Sequence, residues 1–282
     1  MNLSNPKDEI AGEFKDFAGL KDEAAISIKA TALSTSSGRE AINDCKDHLK
    51  IDDRKFDAGD RLIDRIMINP IESKGKINRY NDFLELYQYA KNEAAGSAGY
   101  ITALRMHLGL NTADKLCILY QPVGLTIDAD QSQLPAGTVR YAVKESGRYY
   151  FYDPINKKFG KAGDTSCLGR YMELIKIRRT NAITAKYYSY EADVDTQAII
   201  FPFQEIFTLL HDNDLAERNT FSVYSSIAEE KKDGALRIKH SLVMAPTGTG
   251  PKIFEGALKG VYANLAHLCP PHCKKVEVKM EI

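Results

Sequence analysis

The stretch FSVYSSIAEEKKDGALRIKHSLVMAP, residues 221 to 246, constrains the fold most, because two long strand-like runs flank the turn KKDG. A pair of that length predicts an antiparallel hairpin, so the chain must contain a sheet. Further strands are predicted upstream at KLCILYQPV, TVRYAV and RYYFYDP, the last two flanking KESG, and AITAKYYSYEAD alternates again. Downstream, KIFEGALKGVYANLAHL sets Phe254, Leu258, Val261, Tyr262 and Leu265 on one helical face, and KVEVKMEI alternates Val276, Val278, Met280 and Ile282.

The first 110 residues read mostly as helix. Leu62, Ile63, Ile66 and Met67 form an apolar stripe over 58 to 68, ended by Asn69 and Pro70. Ile77, Tyr80, Leu84 and Tyr87 recur at helical spacing over 77 to 91. A further helix is expected from Ser97 to Leu108, with Gly109 as its terminator, and another over 199 to 211 with Pro202 in its first turn. The expected class is α+β: a helical N-terminal third, an antiparallel β-rich middle and a C-terminal hairpin, helix and strand. The expected division is residues 1–195 and a C-terminal subdomain 196–282.

Composition excludes broad classes of function. Lys plus Arg number 38 and Asp plus Glu number 38, so no global field draws nucleic acid or an anionic membrane. Apolar runs such as AIIF fall far short of the ~20 residues that span a bilayer. The N-terminal MNLSNPKDEIAGEF lacks the basic start and apolar run of a secretory signal. A soluble, cytoplasmic protein is expected. Five cysteines at irregular spacing (Cys45, Cys117, Cys167, Cys269 and Cys273) suggest reduced thiols rather than a disulfide framework.

Several motifs resemble functional sites. APTGTGPKI has the strand-before, helix-after setting of a phosphate loop. Pro251, however, separates Gly250 from Lys252, and Ile253 replaces the hydroxyl that would hold magnesium. What remains is a turn in which Gly248, Thr249, Gly250 and Lys252 form a candidate anion site at a helix start. HLCPPHC gathers His267, Cys269, His272 and Cys273, all ligand types that zinc accepts, though structural zinc sites usually join two separate pairs. A proline-stopped helix end with buried cysteines is the alternative. LLHDND lacks the upstream histidine of a metal phosphohydrolase, and DADQS lacks the sixth-position glycine and twelfth-position Glu of a calcium loop. KIRR, residues 176 to 179, fits a solvated strand face.

GTVRYAVKESGRYYFYDPINKKFG, residues 137 to 160, resembles the His-to-Asp hairpin of the transglutaminase-like, papain-related superfamily, and AAGSAGYITALRMHLGL resembles that family's cysteine helix. The resemblance covers about residues 92 to 160. It implies that Asp153 occupies the position of the acid that orients the catalytic histidine, with Ala94 at the nucleophile position and Thr138 at the histidine position. A thiolate activated by an imidazole is then missing, and no catalytic residue is expected. The expectation is a non-catalytic protein that binds a protein or small-molecule ligand through a degenerate core. The alternatives are a zinc-dependent enzyme or zinc-stabilised domain using HLCPPHC, and an anion-binding module at TGTGPK.

Overall fold

A computed structural model of the chain describes residues 32–33, 62–67, 71–73, 76–78, 81–180, 196–211, 220–232, 235–247, 262–263, 267–269 and 274–279. In chain order the elements are β1 (Ala32–Leu33), β2 (Leu62–Met67), β3 (Ile71–Ser73), β4 (Lys76–Asn78), α1 (Asn81–Glu93), β5 (Ile101–Leu110), β6 (Leu116–Ile127), β7 (Thr138–Glu145), β8 (Tyr150–Asp153) and β9 (Lys158–Lys161). They continue with α2 (Ser166–Thr180), β10 (Ala198–Pro202), α3 (Phe203–His211), β11 (Thr220–Lys232), β12 (Ala235–Thr247), β13 (Tyr262–Ala263), β14 (His267–Cys269) and β15 (Lys275–Lys279).

The expectation of a helical N-terminal third is corrected: among the described residues of the first 110, only Asn81–Glu93 is helix. Among the interpretable residues 50% are strand and 20% helix, in two antiparallel sheets with three helices. The smaller sheet runs β1-β13-β12-β11-β2, and the larger runs β14-β10-β5-β6-β7-β15, with β8 on β6 and β9 on β8. β3 and β4 pair separately. Both sheets draw strands from either side of residue 195, so the division at that point does not separate them.

Within the predicted stripe at 58 to 68, Leu62–Met67 is strand β2, with Ile66 buried against the core. The helix predicted from Ser97 to Leu108 is strand β5, buried on both faces: Leu104, Met106, Leu108 and Leu110 join the core shared by the two sheets, while Ile101 and Ala103 join a second core with Val123, Leu125 and Tyr141. Two buried faces remove the alternation that marks a half-exposed strand. Gly109 ends no helix. It lies within β5, where a Cβ would come 2.9 Å from the Cys167 sulfur and 3.1 Å from that of Cys117.

Of the predicted N-terminal helices, the one at 77 to 91 forms as α1, starting at Asn81 because Ile77 pairs in β4. Phe83, Leu86, Tyr87 and Ala90 repeat at helical spacing and are buried on one face. Over 199 to 211 the chain first makes β10, whose last residue is Pro202, and then α3. The 221 to 246 hairpin forms as expected, with Thr220 opposite Thr247 and Lys232 opposite Ala235. Within the predicted helix at 252 to 268, the described residues Tyr262–Ala263 and His267–Cys269 are strand instead. Residues 182 to 193 lie outside the described residues.

KESG does not turn a hairpin. β7 pairs with β6 from Val123 to Ile127, and β8 pairs with the same strand at Tyr120, so the two follow one another along a single edge. The break falls beside Pro122, which has no N–H to give a ladder. The true turn follows β8, between Asp153 and Lys158 of β9.

Candidate binding site on one face of the larger sheet

Register sets four polar residues, Arg105, His107, Gln121 and Glu145, on the face of the larger sheet that carries the second core. Arg105 stands opposite Gln121, His107 opposite Leu119, and Val123 is flanked by Ala103 on one side and Glu145 on the other. Residues directly across a ladder share a face, so the row Ile101, Ala103, Arg105, His107 turns from apolar to polar along β5. The break between β7 and β8 supplies Tyr149, whose ring meets His107 edge-on at 5.2 Å.

Within this cluster Arg105 Nη1 donates to Glu145 Oε1; the arginine side chain is 8% exposed and the glutamate 44%. His107 Nε2 lies 2.8 Å from Gln121 Oε1. Burial, followed by the neighbouring Arg105 charge, pushes His107 down to about 4, so the imidazole is neutral at pH 7. With the amide oxygen facing it, Nε2 carries the proton and donates to Gln121. Burial and the Glu145 carboxylate together raise the Tyr149 hydroxyl.

Two buried donors are left over: among the described residues Arg105 Nε and Gln121 Nε2 have no hydrogen-bond partner. Turning the amide over would exchange the atoms, Nε2 then donating to the imidazole and Oε1 standing unpaired, so one buried atom of Gln121 lacks a partner in either orientation. Leaving such a group unpaired costs about 1–3 kcal/mol. A group bearing an acceptor oxygen would satisfy Arg105 Nε and, with the amide oxygen turned to His107, Gln121 Nε2. The sequence signal for this site is Arg105 and His107, two apart in the otherwise apolar ITALRMHLGL, with Gln121 in LYQPVGL.

The positions implied by the family resemblance are not brought together. Ala94 follows α1 and packs on β6, where a Cβ on Gly124 would come 2.7 Å from its backbone nitrogen. Thr138 opens β7 opposite Lys279. Tyr141 lies opposite Ile127 and Tyr150 opposite Tyr120, points seven residue steps apart on β6, about 23 Å of strand. Thr138 and Asp153 lie beyond those points, at opposite ends. The Asp153 carboxylate serves its own turn: Oδ1 accepts from the Ile155 and Asn156 backbone at 2.9 and 3.1 Å, and Oδ2 from Asn156 Nδ2 at 2.6 Å.

Gly248, Thr249, Gly250, Lys252, His272 and Cys273 lie outside the described residues. His267 and Cys269 stand in β14 opposite Ile200 and Ala198, which in turn stand opposite Arg105 and His107. Among the described residues no group of three or more His, Cys, Asp or Glu is placed to hold a metal ion.

A second polar chain lies in the shared core. Ser225 Oγ is 2.8 Å from His240 Nε2, and Tyr171 Oη is 2.7 Å from His240 Nδ1 and donates to the Thr196 carbonyl at 3.2 Å. This has the order of nucleophile, base and orienter, yet Ser225, His240 and Tyr171 are 3%, 1% and 2% exposed. It holds α2 to the smaller sheet. No helix among the described residues is long and apolar enough to cross a membrane. Comparison with protein-family models, curated proteins and solved structures gave no match to this chain.

Proposed function

We propose that this protein is a non-catalytic binder of a small ligand, which presents an acceptor oxygen to Arg105 and Gln121 on the face of β5, β6 and β7. The observation that supports this is the pair of buried, unpartnered donors beside a half-exposed Glu145 and a neutral His107. Tyr149 and His107 would supply an aromatic wall. The fit is to a carboxylate or amide of modest size, because a carboxylate can take Arg105 as Glu145 swings out to water.

The proposal does not draw on the transglutaminase-like resemblance, whose three positions lie apart. It is tested by calorimetric titration with acetate, succinate, benzoate and acetamide against wild type and Arg105→Met. Saturable binding of at least one probe is expected, weakened at least tenfold, about 1.4 kcal/mol, in the variant. Equal binding by the variant, or no saturable binding by any probe, overturns the proposal.

A further inference from the structure

Two thiols meet away from that polar cluster. Cys117 lies on β6 opposite Gly109 of β5, and Cys167 is the second residue of α2. A single point above Gly109 is 3.1 Å from one sulfur and 2.9 Å from the other, so only glycine leaves room for both. The thiols are hydrogen-bonded to each other and are free. Their elements are held firmly. Arg170 Nε donates to the Leu110 carbonyl at 2.8 Å, and Asp164 caps α2 by accepting from the Ser166 backbone at 2.8 Å. Cys117 is partly exposed, while Cys167 is 9% exposed, which admits a small oxidant and excludes a bulky one.

We propose that Cys117 and Cys167 are an oxidative modification site, in which a small hydroperoxide converts the dithiol to a disulfide tying the start of α2 to β6. The Cys167 sulfur attacks the terminal peroxide oxygen, the O–O bond breaks, and the departing alkoxide takes the thiol proton to become an alcohol. The Cys117 sulfur then attacks the resulting sulfenic acid, the S–O bond breaks, and hydroxide leaves with the Cys117 proton as water. The two sulfurs lose two electrons and the peroxide gains them. The order follows from the reluctance of Cys117 to ionise. Burial and the neighbouring Cys167 push the Cys117 thiol up to about 12, so it keeps its proton until the second step.

The test is peptide mapping of the folded full chain after treatment with hydrogen peroxide, with native thiols labelled before and after exposure. The expected product is a Cys117–Cys167 linked peptide, lighter than the two free peptides by two hydrogens, with loss of labelling at both positions. In Cys117→Ser, peroxide should give a sulfenic acid at Cys167 that dimedone traps. Both cysteines still labelled in wild type after peroxide, or either one linked elsewhere, would overturn the proposal. The wild-type measurement decides it even if the variant does not fold.

Discussion

Glu205 sits in the first turn of α3 at 5% exposure, and its Oε2 has no partner among the described residues. Burial raises its carboxyl from 4.5 to about 8. The folded state therefore holds a proton that the unfolded chain releases between those values. The stability this contributes is full below pH 4.5 and is lost as pH rises through 8. Asp64, raised by burial from 3.8 to about 6, acts in the same direction at lower pH. His107 acts oppositely: with its value lowered from 6.5 to about 4, its contribution is lost as pH falls through that window. Of these three, only Glu205 titrates between pH 6.5 and 8. Urea unfolding should show wild type losing on the order of 1 kcal/mol per pH unit across that range, with Glu205→Gln removing most of the slope. An unchanged slope in the variant would place the titration elsewhere.

At the scale of elements, helix and strand were separable in the sequence only where the spacing distinguishes them. Leu104 and Leu108, or Leu62 and Ile66, are four apart, a spacing that keeps two residues on one face of either structure. α1 carries Phe83 with Leu86 and Tyr87 with Ala90, three apart, which a strand would send to opposite faces. That helix was legible. Four-residue spacings leave helix and strand undivided, and the segments that carry them are strands paired with β11, β6 and β10; in β2 even the three-residue step from Ile63 to Ile66 is overridden by pairing with β11. The KESG stretch misled for another reason: its residues suit a tight turn, yet both flanking strands pair with β6. Asp153 shows the same shift from implied catalytic acid to turn residue. Asp153→Ala should cost about 1 kcal/mol through the lost side-chain caps, read from the urea midpoint. Asp153→Asn, which keeps the Oδ1 acceptor, should cost less; equal losses would mean that the Oδ1 bonds do not carry the effect.

Across the whole molecule the two sheets are joined by polar contacts as well as by their common core. Tyr120 of β6 donates to Asp64 Oδ2 of β2 at 2.5 Å, and the Met67 backbone N–H donates to the Tyr152 hydroxyl at 2.8 Å. Phe159 closes the space between, edge-on to Tyr120 and Tyr152 at 5.2 and 5.4 Å. Tyr120→Phe preserves the ring packing and leaves Asp64 buried without its donor, so it should destabilise by about 2 kcal/mol. Amide exchange should then quicken in Leu62–Met67 more than in β11 and β12; uniform acceleration would mean that the tie is not local. The sequence by itself determined the β11–β12 hairpin, α1, the strand character of β6, β7, β8 and β15, and the lack of an intact phosphate loop. Those follow from local turn chemistry, residue spacing and side-chain type. Only the tertiary structure decided that β5 is a strand buried on both faces, that β7 and β8 share one edge, and that Arg105, His107, Gln121, Glu145 and Tyr149 converge. Strand partners lie far away along the chain, and burial on both faces erases the alternation by which a strand announces itself.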